Sequence, residues 1–306
     1  MAITAGKGTE VATQEQSPSV RFTTAVVKEF ASATGATITL TPEQKRLAQH
    51  LFIKIDTSLK EAEAKRLKDN ETTKQPITWQ NINMQKLATS AMYRVELGLD
   101  ALVENHISPI PYWNSKENKY DLDLRVGYAG KDYYKRKFAI DAPDKPPIYQ
   151  LVYSTDKFKA LMKNATRQVE SYEFEIINPF DRGEVIGGFA YFMYDDETKN
   201  KLIIVSEKEF KQSEAQGNKT FWRDRPIQMR YKTIVNKATS KLHIDPEKTT
   251  PGYHAVEAEE SAFIEAEVAQ EIAENANKEV LEIPPGVDGE TGEIGGSEKT
   301  GDGPDF

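Results

Sequence analysis

The chain has 306 residues, 38% of them apolar, no cysteine and a formal net charge of −8. That apolar share supports a packed core, and the lack of cysteine excludes a disulfide framework and any thiolate metal site, so a reducing compartment, the cytoplasm, is expected. The charge is uneven: from Pro251 onward there are 15 acidic residues against two basic ones, a net of −13, which leaves 38 basic against 33 acidic residues, +5, in the first 250.

A mildly basic body beside a strongly acidic tail is the pattern of a polyanion-binding domain with an interaction segment, or of a tail that only keeps the chain soluble. The first 20 residues hold no apolar run of signal-peptide length, and no stretch nears the roughly 20 apolar residues of a membrane span. Residues 1–20 mix Gly, Thr, Ser and Gln without periodicity and are expected to form a flexible arm, with order beginning near Phe22.

Thr41-Pro42-Glu43-Gln44 pairs an N-cap hydroxyl with Pro at the first helical position and Gln at the third, a capping box that predicts a helix. Leu47, Leu51, Ile55 and Leu59 mark its buried face. A second helix is expected from Trp79 to Leu97, with Ile82, Leu87, Ala91 and Val95 inward and Gly98 as its stop. The period then changes to two. Tyr120, Leu122, Leu124 and Val126 alternate with polar residues, and Ile107 to Trp113, broken by Pro109 and Pro111, reads as the edge strand of a hairpin turning across Asn114 to Asn118.

Further strands are expected at Tyr149–Ser154, Glu170–Ile177, Val185–Tyr194 and Lys201–Val205, with a turn over Asp195–Asn200. Ser206-Glu207-Lys208-Glu209 is another capping box, and Pro226 to Leu242 reads as a longer helix. The order of helices, strands, then helices gives an α+β fold, with helices flanking a small antiparallel sheet and hairpins. The division expected is an arm over 1–20, a core over 21–250 and an acidic tail over 251–306, partly helical from Val256 to Leu281 and then disordered.

Several chemistries lack their residues. Gly127-Tyr128-Ala129-Gly130-Lys131-Asp132 has neither the spacer nor the Ser or Thr of a phosphate loop, so a nucleotide-driven reaction is not expected. His50, His106, His243 and His254 are scattered without helical metal spacing, and no metal or other cofactor is expected. Asp121 and Asp123 could join a two-metal cluster but fit a solvent face opposite four apolar residues better. With no Gly-x-Ser-x-Gly elbow and no thiol, no catalytic residue is assigned.

Two basic clusters remain. Lys131, Lys135, Arg136 and Lys137 lie among Tyr128, Tyr133 and Tyr134, which joins phosphate-tracking charge to flat rings as single-strand binding requires; a Lys-rich helix face over core tyrosines reads the same. At 100° per residue, Arg223, Arg230, Lys237 and Lys241 fall within about 40° of one another. If the helix reaches back to Arg223, they form a cationic ridge about 27 Å long beside an apolar face of Ile227, Tyr231, Ile234, Val235, Ala238 and Leu242. Arg225 and Lys232 join them as candidate contacts, Lys232 from another side of the wheel, and Trp222 is a core anchor or a stacking ring.

Five landmarks in order then resemble the RecT family of phage single-strand DNA annealing proteins. They are Leu97-Gly98-Leu99-Asp100; Leu124-Arg125-Val126-Gly127-Tyr128-Ala129-Gly130 leading into Lys135-Arg136-Lys137; Phe221-Trp222; Met229; and Lys232-Thr233 with Lys237. The resemblance spans roughly residues 80 to 245, with departures at Ala101, Asn236 and Ser240. It implies ATP-independent annealing without covalent chemistry, by a ring or helical filament that holds one strand in a basic groove while a second pairs with it, and it adds Arg125 to the candidate contacts. It also implies a 5′-to-3′ exonuclease partner and a host single-strand DNA-binding protein met through the C-terminal region. The alternative reading is a phage adaptor or structural protein whose basic face meets another protein.

Overall fold

The structure, a computed structural model, describes residues 17–35, 39–69 and 75–262. Three helices come first: α1 (Pro18–Thr34), α2 (Pro42–Lys68) and α3 (Met84–Leu97). The Thr41 capping box forms with both of its hydrogen bonds and starts α2. Leu47, Leu51, Ile55 and Leu59 are all buried, as their spacing requires. Helix α1 begins at Pro18, inside the segment expected to be an arm; residues 1–16 lie outside the described residues.

The helix expected from Trp79 is in two pieces. Trp79–Asn81 is a single 3-10 turn, Ile82 is extended, and Asn83 caps α3 by accepting from the Lys86 amide. Ile82 leaves the helix to bridge Tyr120 of the hairpin, a tertiary contact that overrides the local period. Gly98 ends α3 at φ +81°, a left-handed conformation that glycine adopts without strain.

The expected hairpin forms from β1 (Ile107–Asn114) and β2 (Lys119–Val126), with Ile107 opposite Val126 and Asn114 opposite Lys119. Its apolar residues join one core with α1, α2 and α3. Phe22, Val26, Leu51, Ile55, Leu87, Leu97, Leu122 and Leu124 are all buried there.

Past α4 (Tyr128–Lys137) the chain builds a second layer. Strands β3 (Ile148–Tyr153), β6 (Val185–Phe192) and β7 (Lys201–Ser206) form an antiparallel sheet in the order β3-β6-β7. A hairpin of β4 (Lys157–Leu161) and β5 (Ser171–Glu175) covers one face through Phe158, Tyr172 and Phe174 packed on Phe189 and Tyr191. Strand β4 has no counterpart in the sequence reading, because alternating Lys157, Phe158 and Lys159 are too few residues to establish a period.

The other face carries α5 (Glu207–Ala215) and α7 (Pro226–Thr239), with Phe210, Ile234, Ala238 and Leu242 against Val185, Ala190, Phe192 and Val205. The Ser206 capping box is complete.

Further differences follow. A short helix α6 (Lys219–Asp224) carries Arg223, and the chain breaks at Arg225, φ −140°, before α7 starts at Pro226. Proline lacks the amide needed to continue a helix and disfavours helical backbone at the preceding residue; Arg225 accordingly leaves the helical region, and Arg223 does not share a helical wheel with Arg230. Ile227, expected on the apolar face, is exposed in the first turn of α7. Finally, residues 251–262 are helical, and Tyr253 and Val256 lie in the same core as α1, α2 and α3. Part of the segment expected to be a tail is thus packed on the body; its remainder, from Phe263, lies outside the described residues.

Candidate nucleic-acid interface

The first basic cluster lies on helix α4, and the glycines at its N-cap and in its first turn are needed for close approach. A Cβ at Gly127 would overlap the Asn105 carbonyl oxygen, and one at Gly130 would come 2.7 Å from the carbonyl oxygen of His106. The amides of both glycines donate to those carbonyls, Gly127 to His106 at 3.0 Å and Gly130 to Asn105 at 3.1 Å. Those two donors of the phosphate-loop-like run are therefore used to dock α4 against the loop before β1.

Each side of α4 meets a different part of the protein. Toward α3, Lys137 Nζ donates to the Leu97 carbonyl at 3.1 Å, and the Tyr133 ring packs on His106, whose burial lowers its pKa. Two family landmarks, the Leu-Gly turn and the basic triplet, thereby touch.

Toward the sheet, Arg136 donates twice to Asp132, at 3.1 and 2.8 Å, and the Tyr149 hydroxyl of β3 donates to the same carboxylate at 2.6 Å. Burial, and then Asp132, push the Tyr149 hydroxyl above its ordinary value. The Tyr128 ring stands edge-on to Tyr231 of α7, centroids 5.6 Å apart. The two basic clusters of the sequence therefore lie side by side.

The third side meets the 251–262 helix. Lys131 Nζ lies 2.7 Å from Glu260, Lys135 Nζ lies 2.9 Å from Glu257, and the Tyr134 hydroxyl also donates to Glu257. Tyr134 has no exposed surface, so its ring is a core residue in this conformation; the side chains of Lys131 and Lys135 retain 18% and 16% of theirs. Beneath them Arg94 reaches Glu259 at 2.5 Å and the Leu124 carbonyl at 3.0 Å.

Around α7 the cations differ in their engagement. Lys237 is paired with Glu209 and also donates to the Ile204 carbonyl at 2.7 Å, which ties α7 to α5 and the edge strand. Arg223 pairs with its neighbour Asp224 at 2.8 Å, and Arg125 of β2 pairs with Asp123 at 3.0 Å and meets the Tyr112 hydroxyl. Arg225, Lys232 and Lys241 are exposed and Arg230 is half-buried. Trp222 is buried, the core alternative of its two readings.

Glu257, Glu259 and Glu260 were missed by sequence reasoning. The signal was present: Tyr253, Val256, Glu257 and Glu260 recur at the i, i+3, i+4, i+7 positions of one helix face. Asp121, weighed as a metal ligand, is hydrogen-bonded by Lys86, Asn114 and Asn83; burial works against its charge, but these donors outweigh it and hold its carboxyl below the usual range. Among the described residues no group of three or more His, Asp or Glu side chains could hold a metal ion, and no helix is long and apolar enough to cross a membrane.

A comparison with curated proteins finds no match. A family model does match, the one described as the RecT family, over residues 64–276. That range takes in α3, the hairpin, the sheet layer, both basic clusters and the 251–262 helix. The Gly127–Gly130 dock, the Lys137 cap on Leu97 and the Tyr128–Tyr231 contact all fall within the match, and by it the chain belongs to the RecT family of phage-recombination proteins that anneal single-stranded DNA.

Proposed function

We propose that this protein binds single-stranded DNA and anneals complementary strands without ATP, a metal or covalent chemistry, acting as an oligomer in which successive subunits hold one strand extended. The observation that carries the reading is the family match across the two adjacent basic helices, α4 and α7. The DNA contacts proposed are Arg125, Tyr128, Lys131, Tyr133, Lys135, Arg136 and Lys137 on one side, and Arg223, Arg225, Arg230, Lys232, Lys237 and Lys241 on the other, with Tyr134 contributing its hydroxyl. Cations of this kind follow the phosphate backbone whatever the base, which suits a protein that must pair any sequence with its complement.

The proposed setting is the cytoplasm of a bacterial host. The proposed partners are a 5′-to-3′ exonuclease that exposes the strand and a host single-strand DNA-binding protein engaged through the C-terminal region. The proposed domain division keeps residues 21–250 as the annealing core and 251–306 as the interaction tail, with the first turns of that tail seated on the core. Fluorescence-monitored annealing of two complementary oligonucleotides, with EDTA present and nucleotide absent, tests the function. Pairing faster than the spontaneous rate is expected, and a strict ATP requirement would overturn it.

A further inference from the structure

We infer that the stretch from Glu257 to Ala262 is an internal phosphate mimic that competes with single-stranded DNA for the basic face of α4. The inference rests on the annealing reading above and adds to it a regulation of the same site.

Glu257 and Glu260 stand three residues apart on the helix, about 4.5 Å along the axis, and place their carboxylates on Lys135 and Lys131. Glu257 also accepts the Tyr134 hydroxyl, a donor that a phosphate oxygen could use equally well. Two successive negative charges thus lie over two ammonium groups, as two phosphates of a strand would.

How this segment is held makes displacement feasible. Before it, Tyr253 and Val256 are buried in the core and the Gly252 amide donates to Glu96 at 3.1 Å. After Val256 none of the described residues buries an apolar side chain; Ala258, Glu259, Ser261 and Ala262 are exposed. The attachment there is electrostatic, through Glu257, Glu259 and Glu260. The Lys131 and Lys135 pairs keep part of their side-chain surface in water, and a strand that brings several phosphates at once can take over both cations. The apolar anchor at Tyr253 and Val256 keeps the displaced segment tethered.

The experiment compares the full chain with the double variant Glu257→Gln and Glu260→Gln, by fluorescence anisotropy with a labelled oligothymidylate at one salt concentration. Neutralising both carboxylates is expected to tighten binding by roughly fivefold to tenfold, the combined worth of two such pairs. Adding Lys131→Gln and Lys135→Gln to that variant should abolish the gain, because the gain comes from freeing those two cations.

A folded double variant that binds no more tightly than the parent overturns the inference while leaving the annealing reading in place. A parent chain that does not bind the oligothymidylate at all overturns that reading instead. Hydrogen exchange in the unaltered protein gives an independent measure. Amides from Ala258 to Ala262 should lose protection when the oligothymidylate is added, and unchanged protection overturns the inference even if the variants fail to fold.

Discussion

The Tyr149 hydroxyl of β3 donates to Asp132 of α4 across 2.6 Å, and the same carboxylate holds Arg136 two-handed. This contact joins the sheet layer to the helix that carries the first basic cluster. Tyr149→Phe removes one hydrogen bond to a charged acceptor and should cost about 1.5–3 kcal/mol. Urea denaturation should show a lower midpoint with an unchanged slope, and a variant as stable as the parent would show that the contact contributes nothing.

Charge reversal around α7 should separate DNA contacts from structural cations. Arg225→Glu with Arg230→Glu alters an exposed and a half-buried position and should leave stability within about 1 kcal/mol. Single-strand binding should weaken for every sequence tested, and its log-log salt slope should flatten by about 0.7 for each phosphate that the variant no longer neutralises. Lys237→Glu is a different case. It would set a carboxylate against Glu209 and abandon the Ile204 carbonyl, so its first effect should be a lower melting temperature. Tight binding by the Arg225/Arg230 variant at the parent's salt slope would remove both residues from the interface.

Truncations should locate the edge of the folded body. A chain ending at Ala262 keeps Tyr253 and Val256 in place and should melt with the parent. A chain ending at Thr250 exposes the surface that those two residues cover and removes the glutamates paired with Arg94, Lys131 and Lys135. Burial of two such side chains is worth about 1.5–3 kcal/mol each, so its loss of stability should exceed about 3 kcal/mol. Equal melting temperatures for the two truncations would show that the 251–262 helix adds nothing to the core.

Acid should unfold the protein partly through two glutamates. The Arg66 hydrogen bonds hold the Glu63 carboxyl down to about 2, and the Lys237 hydrogen bond, with the Ser206 amide, holds Glu209 down to about 2. Both pKa values are lowered on folding, so their contribution is present above the ordinary glutamate value of 4.5 and is lost as pH falls from there through about 2. Glu63→Gln should flatten the acid limb of the melting-temperature profile in that window. A profile with the parent's steepness would show that the pair with Arg66 carries no linkage.

Local chemistry determined most of the elements. The capping boxes at Thr41 and Ser206, the left-handed stop at Gly98 and the alternation from Tyr120 to Val126 each depend on residues a few positions apart, so short-range sequence specifies them. Periodicity likewise named Leu51, Ile55, Leu124 and Ile234 as core, because a face buried every third or fourth residue, or every second, is legible in the order of residues alone.

Tertiary contact decided the rest. Ile82 left its helix for Tyr120, and the break at Arg225 and Pro226 split a ridge that wheel geometry had drawn as continuous. Above all, composition marked Lys131, Lys135 and Tyr134 as a basic-aromatic cluster without indicating what lies over it. The carboxylates of Glu257 and Glu260 arrive from more than 120 positions away, and only a shared core that seats Tyr253 and Val256 beside Tyr134 and Phe138 brings the two charges together. Coulomb attraction depends on distance in space, and the sequence gives only distance along the chain.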